Sequence, residues 1–419
     1  MPDIFRSVST SAAVIVIFFA MYRVLSLGLS DYYVTAFFSG DGTALGKALS
    51  WEDHNPKALY LQAKESLRSN KAVAAAEIKK SISGNPADAR AVLLAASGTD
   101  VFPVQNDRDQ LYSRAVSLMP ADKTVRLQAA SYWVSRNMLH RAVADWGVAL
   151  SIDPALGQVL YPLFMQIVQS AQARTSLAGL VDAPPAWWED FVRYLSANVE
   201  NPDALLELMH MRRQSDAPIS ITERKYAVES LMQAGRWPAA YLLWVEGLAR
   251  EDRRFLGMVY NGDFESQSKQ YGFNWRLTKS KDIDVILQRD TSAAGENALY
   301  LRFYGKEIRF QHVSQYLLLA PGSYTFRSSA RTGLLAGRGR LKWFVRCADD
   351  LRDSLGSSQN IVMSKEWSQQ RFSFQVPDGD KCKAQLLRLE TTGKHLFDHK
   401  LKGELWLDRV SITRQNLAG

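Results

Sequence analysis

The sequence predicts a multidomain chain: an N-terminal transmembrane helix, an α-helical repeat solenoid, and a C-terminal all-β sandwich of jelly-roll type. Three observations predict it. Residues 12–29 form an almost unbroken apolar run. Ala- and Leu-rich segments follow, with prolines 34 residues apart. At Tyr260 the pattern changes to short alternating runs separated by Gly, Pro and Asp. The 419 residues suit two or three domains. An apolar share of 47% and a charged share of 22% exclude a disordered or collagen-like chain. Two cysteines exclude a disulfide-dense mini-scaffold and a four-cysteine zinc site.

Taken in order, the boundaries fall at 1–30 for the anchor, 31–255 for the helices and 258–419 for the sandwich. Eighteen helical residues, 12–29, span about 27 Å, close to the thickness of a hydrocarbon core. Arg23 lies near the end of the run, where its side chain can snorkel to the interface. Tyr32-Tyr33 and Phe37-Phe38 follow as a membrane-boundary pattern. A cleaved signal peptide is the rival reading, but no small-x-small site follows the run. Arg6 favours an N-inside start. The expectation is a single-pass protein of a bacterial inner membrane with its soluble part in the periplasm.

The helical region shows a period. Pro86, Pro120 and Pro154 are spaced by 34 residues, each after a helix-like phrase with an Ala at 76, 115 or 149. An earlier copy ends at Pro56. A small residue lets paired helices approach, and the proline ends the second helix. This length and these phrases resemble the tetratricopeptide repeat, clearly over 31–167 and more faintly to Arg254. The resemblance implies a stacked array with a concave face for a protein partner; a plain spacer is the alternative. Trp133, Trp146, Trp187, Trp188, Trp237 and Trp244 sit at helical spacing with Ala and Leu and read as core.

The last part carries the charge. Residues 260–419 hold 25 Lys/Arg against 17 Asp/Glu, and the remainder holds 26 of each. The whole net charge of +8 therefore belongs to the β-rich part, where an anionic partner would bind. In "ALYLRFY", Leu299, Leu301 and Phe303 take one face, the core, and Tyr300, Arg302 and Tyr304 the other. Cys347 and Cys382 both fall in this part and pair as a disulfide if the compartment is oxidising.

The phrases "YNGDFE", "FNW", "LAPGSYTFRSSAR" and "GELWLDRVSI" occur in this order over 258–414. The order resembles the galactose-binding-like jelly roll of the 4/9/22-type carbohydrate-binding modules. That resemblance implies sugar binding, and a structural calcium at the positions of Glu265 and Asp408. Arg409 stands where the family commonly has a second acid. Flat aromatic faces suit pyranose rings, and Tyr300, Tyr304, Phe310, Trp343 and Trp367 are candidates, with Tyr300 and Tyr304 preferred because they oppose the apolar face. Trp275 and Trp367 match positions that are usually core. The basic set Arg327, Arg331, Arg338, Arg340, Lys342 and Arg346 is suited to carboxylates or phosphates of an acidic polysaccharide, or else guards a sheet edge. Nucleic acid is a poor partner for a domain outside the cytoplasm.

No G-x-S-x-G elbow, phosphate-binding Gly-rich loop or H-E-x-x-H is present. His395 and His399 flank Asp398 at a spacing that could face one metal, but in a polar hairpin without a further ligand. The expected function is that of a non-catalytic accessory protein in cell-surface polysaccharide synthesis, polymerisation or export. A protein scaffold without sugar binding and a periplasmic hydrolase or lyase are the alternatives.

Overall fold

The computed structural model describes residues 2–67, 69–98, 105–293 and 295–415, without the side chains of 2–14 and 105–107. Arg6 and the first three side chains of the apolar run thus lie outside the described set. The chain divides into two compact units: Met1–Phe164 with Thr175–Leu180, and Met165–Arg174 with Val181–Gly419.

The helices, in chain order, are α1 Pro2–Phe38, α2 Ala44–Trp51, α3 Pro56–Ser66, α4 Lys71–Gly84, α5 Ala89–Ser97, α6 Gln105–Leu118, α7 Lys123–Ser135, α8 Leu139–Ile152, α9 Gly157–Gln169, α10 Ala178–Asp182, α11 Trp188–Asn198, α12 Pro202–Gln214, α13 Ile221–Gln233 and α14 Trp237–Glu246. Helix α1 continues past the apolar run. Its segment Ile15–Phe38 is long and apolar enough to cross a membrane, a description that a signal sequence also fits. Its second half carries Ser26, Ser30 and Val34, one helical turn apart, and all three are buried. Ser30 donates to the Ala48 carbonyl of α2 at 2.8 Å. Arg23 does not stand free but pairs with Glu52 at the end of α2.

After α2 the first unit is built from helix pairs, α3 with α4, α5 with α6, and α7 with α8. Each pair opens on the same device. Asn55, Asp88 and Asp122 cap α3, α5 and α7, each accepting backbone N–H groups of the first turn. The prolines at 86 and 120 stand two residues before two of these caps and close the preceding helix. The 34-residue period is therefore a period of helix pairs. Of the six tryptophans, Trp133, Trp187, Trp188, Trp237 and Trp244 are buried, and Trp146 packs partly buried against the cluster of Trp133.

In the second unit, Arg212 and Glu223 are both buried and pair at 2.8 Å, and Trp188 donates its indole N–H to the same carboxylate at 3.0 Å. Between α13 and α14 the turn needs Gly235, whose φ is +70°. The strands are β1 Arg276–Leu277, β2 Ile283–Arg289, β3 Asn297–Glu307, β4 Val313–Leu317, β5 Gly322–Thr332, β6 Ala336–Gly337, β7 Arg340–Cys347, β8 Asp350–Ser357, β9 Ser368–Val376, β10 Gln385–Thr392 and β11 Lys400–Arg414. They form two antiparallel sheets, ordered β1-β4-β10-β7-β8 and β2-β3-β11-β5-β9, with β6 beside β11. Leu299, Leu301, Phe303, Phe326, Leu405 and Leu407 of the second sheet share one core with Val313, Trp343, Leu387 and Leu389 of the first. The outer faces of both sheets are thereby fixed by alternation. Helices α13 and α14 pack on the first sheet at its β1–β4 side: Glu229 pairs with Arg276 at 2.7 Å, and the Trp237 ring lies 5.4 Å from Tyr316. A disulfide joins Cys347 at the end of β7 to Cys382.

Candidate functional site

The outer face of the second sheet carries a row of large side chains in register. Tyr300 of β3 stands opposite both Ile286 of β2 and Trp406 of β11, and Trp406 stands opposite Arg331 of β5. Trp367, just before β9, continues the row. The Arg331 guanidinium lies 4.3 Å from the Trp406 ring centroid and 5.5 Å from that of Trp367. Strands are about 4.8 Å apart, so a row crossing five strands is about 19 Å long.

Hydrogen bonds hold this row in place. Arg331 pairs with Asp290, whose other oxygen accepts from Ser292 Oγ at 2.6 Å. Ser292 Oγ in turn accepts the Trp367 indole N–H at 3.1 Å. Burial works to raise the Asp290 carboxyl, but the Ser292 hydrogen bonds and the Arg331 charge hold it below its ordinary value. Tyr300 packs 5.1 Å from Trp406 and donates its hydroxyl to Glu404 at 2.9 Å. Burial and that carboxylate push its phenol up to about 12. Tyr304, 46% exposed, donates to Asp284 at 2.6 Å, and this bond raises its phenol as well.

The predicted residues therefore separate. Tyr300 and Tyr304 do share the outer face, but Tyr300 is only 9% exposed and presents little of its ring. Phe310 and Trp343 are core residues, at 1% and 0% exposure: Trp343 because its position on β7 faces the opposite sheet, and Phe310 because the β3–β4 connection folds its ring against Phe303. Trp275 is also core and donates to the Asn261 carbonyl at 3.0 Å. Trp367, whose sequence position suggests core, lies half-buried on the outer row. The basic stretch does not make one patch. Arg327 and Arg331 lie on β5 in the second sheet, while Arg340, Lys342 and Arg346 lie on β7 in the first. Arg338 lies in the turn before β7, its guanidinium 5.3 Å from the Phe397 ring. Trp406, Glu404 and Asp284 are additions. The alternation in "ELWLDRV" holds the signal, since Leu405 and Leu407 inside put Glu404 and Trp406 outside.

Glu265 and Asp408 do not by themselves make a calcium shell. Glu265 Oε1 accepts the backbone N–H groups of Glu296 at 2.9 Å and Asn297 at 3.0 Å, and Oε2 accepts the Asn297 amide at 3.3 Å. Asp408 is buried and accepts the Arg409 N–H at 2.7 Å. Calcium needs six to eight oxygens. Among the described residues, the only cluster of three acid or histidine ligands is Glu52, Asp53 and His54, which does not include either residue. His395 and His399 do not converge. His399 is buried with Nδ1 2.7 Å from Thr391 Oγ1, whereas His395 stacks on Phe397.

No protein-family model and no curated protein matches the chain. Solved structures with a similar fold do occur, matching the C-terminal sheet region. A family 4 carbohydrate-binding module is 14% identical, with a TM-score of 0.29, and the match covers 38% of this chain and 99% of that one. A family 61 module solved with β-1,4-galactotriose is 15% identical, with a TM-score of 0.28 over 38% and 99% of the two chains. The family 22 xylan-binding domain of Paenibacillus barcinonensis Xyn10C is 15% identical, with a TM-score of 0.27 over 36% and 91%. Identities and TM-scores of this size do not assign a ligand to this chain.

Proposed function

We propose that the protein is a non-catalytic, membrane-anchored glycan-binding accessory factor of bacterial cell-surface polysaccharide synthesis, polymerisation or export. The observation that carries this reading is the row of Tyr300, Trp406, Arg331 and Trp367 on an outer sheet face. Pyranose C–H groups carry partial positive charge and are attracted to the negative face of an aromatic ring. Arg331, Glu404 and Asp284 stand beside these rings as fixed donors and acceptors for hydroxyls. Arg331 is matched by Asp290, so the row suits a neutral sugar. The apolar part of α1 serves as the anchor, with the remainder in the periplasm. The helix pairs dock a protein component of the same machinery, and no reaction occurs on this chain.

A second reading is a protein scaffold without sugar binding. The burial of Tyr300 favours it, because a platform ring presents its face. Affinity electrophoresis of the full chain in detergent, against neutral and acidic surface polysaccharides of the host, separates the two. Retardation by a host polysaccharide supports the glycan reading. Retardation by none supports the scaffold.

A further inference from the structure

We propose that the outer face of the first sheet is a second saccharide site, selective for sugars that carry carboxylates. This inference rests on the reading of the sandwich as a glycan binder but uses different residues. Four cations and one acid lie on adjacent strands. Arg340, Lys342 and Arg346 alternate along β7 with Phe344 between them, and Arg388 and Glu390 lie on β10. Register places Arg388 opposite Phe344 and Glu390 opposite Lys342. Arg346 lies 4.4 Å over the Phe344 ring and reaches Glu390 with both terminal nitrogens. Arg388 Nε donates to the same carboxylate at 2.6 Å.

Three features argue against a merely solvated surface. First, β7 lies between β10 and β8, and β10 between β4 and β7, so these cations guard no exposed edge. Second, side-chain exposure is only 11% for Arg346 and 16% for Arg388. The charges are recessed, where screening by water is weaker and an anion is attracted more strongly. Third, the single carboxylate is shared by two guanidinium groups and leaves the face with surplus positive charge. Like charges on neighbouring strands cost stability unless something answers them. Arg388 spends only Nε on Glu390, which leaves its two terminal nitrogens as a planar fork for a carboxylate. Alternation along β7 puts Arg340 and Lys342 about 6.7 Å apart and Arg346 about 13 Å beyond Lys342, a line of cations along which an extended anionic chain can lie.

A carboxylated saccharide fits better than the other polyanions. The outer face of β7 and β10 has one aromatic, half-buried Phe344, already covered by Arg346, and Tyr316 on neighbouring β4 is taken up by Trp237, so the face offers no stacking platform for bases. Leu386 of β10 is buried, so the face offers little apolar surface to a lipid bilayer.

The test uses the full chain in zwitterionic detergent. The probes are polygalacturonate, its fully methyl-esterified form and single-stranded DNA. The esterified polymer keeps the backbone and removes the charge. Wild type should bind polygalacturonate at least about tenfold more tightly than the ester, and the preference should fade as salt rises. A chain carrying Arg388→Gln and Lys342→Gln should lose the preference, and Lys342→Gln alone should reduce it if the double variant does not fold. Trp406→Ala should leave it intact while weakening neutral-sugar binding, so the two faces fail separately. Equal binding of polygalacturonate and its ester overturns the proposal. So does DNA binding as tight as polygalacturonate binding, which marks a general polyanion surface. A preference that survives the double variant overturns it as well.

Discussion

The disulfide is the feature of the sandwich whose removal has the most calculable effect. Cys347 and Cys382 are 35 residues apart, and the loop they close contains β8 and β9. In the chain-entropy account, closing a loop of that length lowers the entropy of the unfolded chain by an amount worth about 4 kcal/mol. Cys382 is buried and Cys347 half-buried, so alanine at both positions leaves a small void that adds to this loss. For a unit of this size, each kcal/mol moves the melting temperature by about 2–4 °C. The double alanine variant should therefore melt about 8–16 °C lower in the sandwich transition. Differential scanning calorimetry of the full chain in detergent reads this directly. A fall below about 2 °C would refute the reasoning, because it would mean that the unfolded chain gains little freedom when the bridge is absent.

Two further effects have signs set by the structure. Glu223→Ala leaves the buried Arg212 without its carboxylate and removes the acceptor of the Trp188 indole. It should destabilise the second unit by about 3–5 kcal/mol in urea unfolding, whereas an exposed pair such as Arg213–Glu246 should cost under about 1 kcal/mol. Tyr300 supplies a pH dependence. Its phenol titrates at about 12 in the folded chain against an ordinary 10.0, so its stabilising contribution is full below the ordinary value and is lost as pH rises towards the folded one. The alkaline fall in stability should be shallower in Tyr300→Phe than in wild type, and parallel curves would contradict the assignment.

The parts legible in the sequence were those with strong local periodicity. Alternation put Leu299, Leu301 and Phe303 inside, and the same rule put Tyr300 and Tyr304 outside. The 34-residue spacing reflects helix pairs, because the Asn or Asp cap recurs with it. What stayed hidden depends on how strands are assigned to sheets. Residues 327–346 look like one basic stretch, but the chain leaves the second sheet after β5 and enters the first at β7, and the charge divides with it. Trp343 looks like a flat ligand face only until the partner sheet is placed over it, and Phe310 only until the β3–β4 connection is folded onto Phe303. The end of α1 was obscured for a related reason. Ser26 interrupts the apolar run and Ser30 follows it, yet both are buried, and Ser30 reaches the α2 backbone.

The account rests most heavily on the aromatic row of the second sheet. The most direct measurement is isothermal titration of the full chain with neutral oligosaccharides cut from the host's surface polysaccharide, comparing wild type with Trp406→Ala and Trp367→Ala. The account predicts saturable binding by wild type and a loss of about 0.5–1.5 kcal/mol for either variant, from removal of one stacked ring. Wild-type affinity in both variants, with dichroism unchanged, would contradict it.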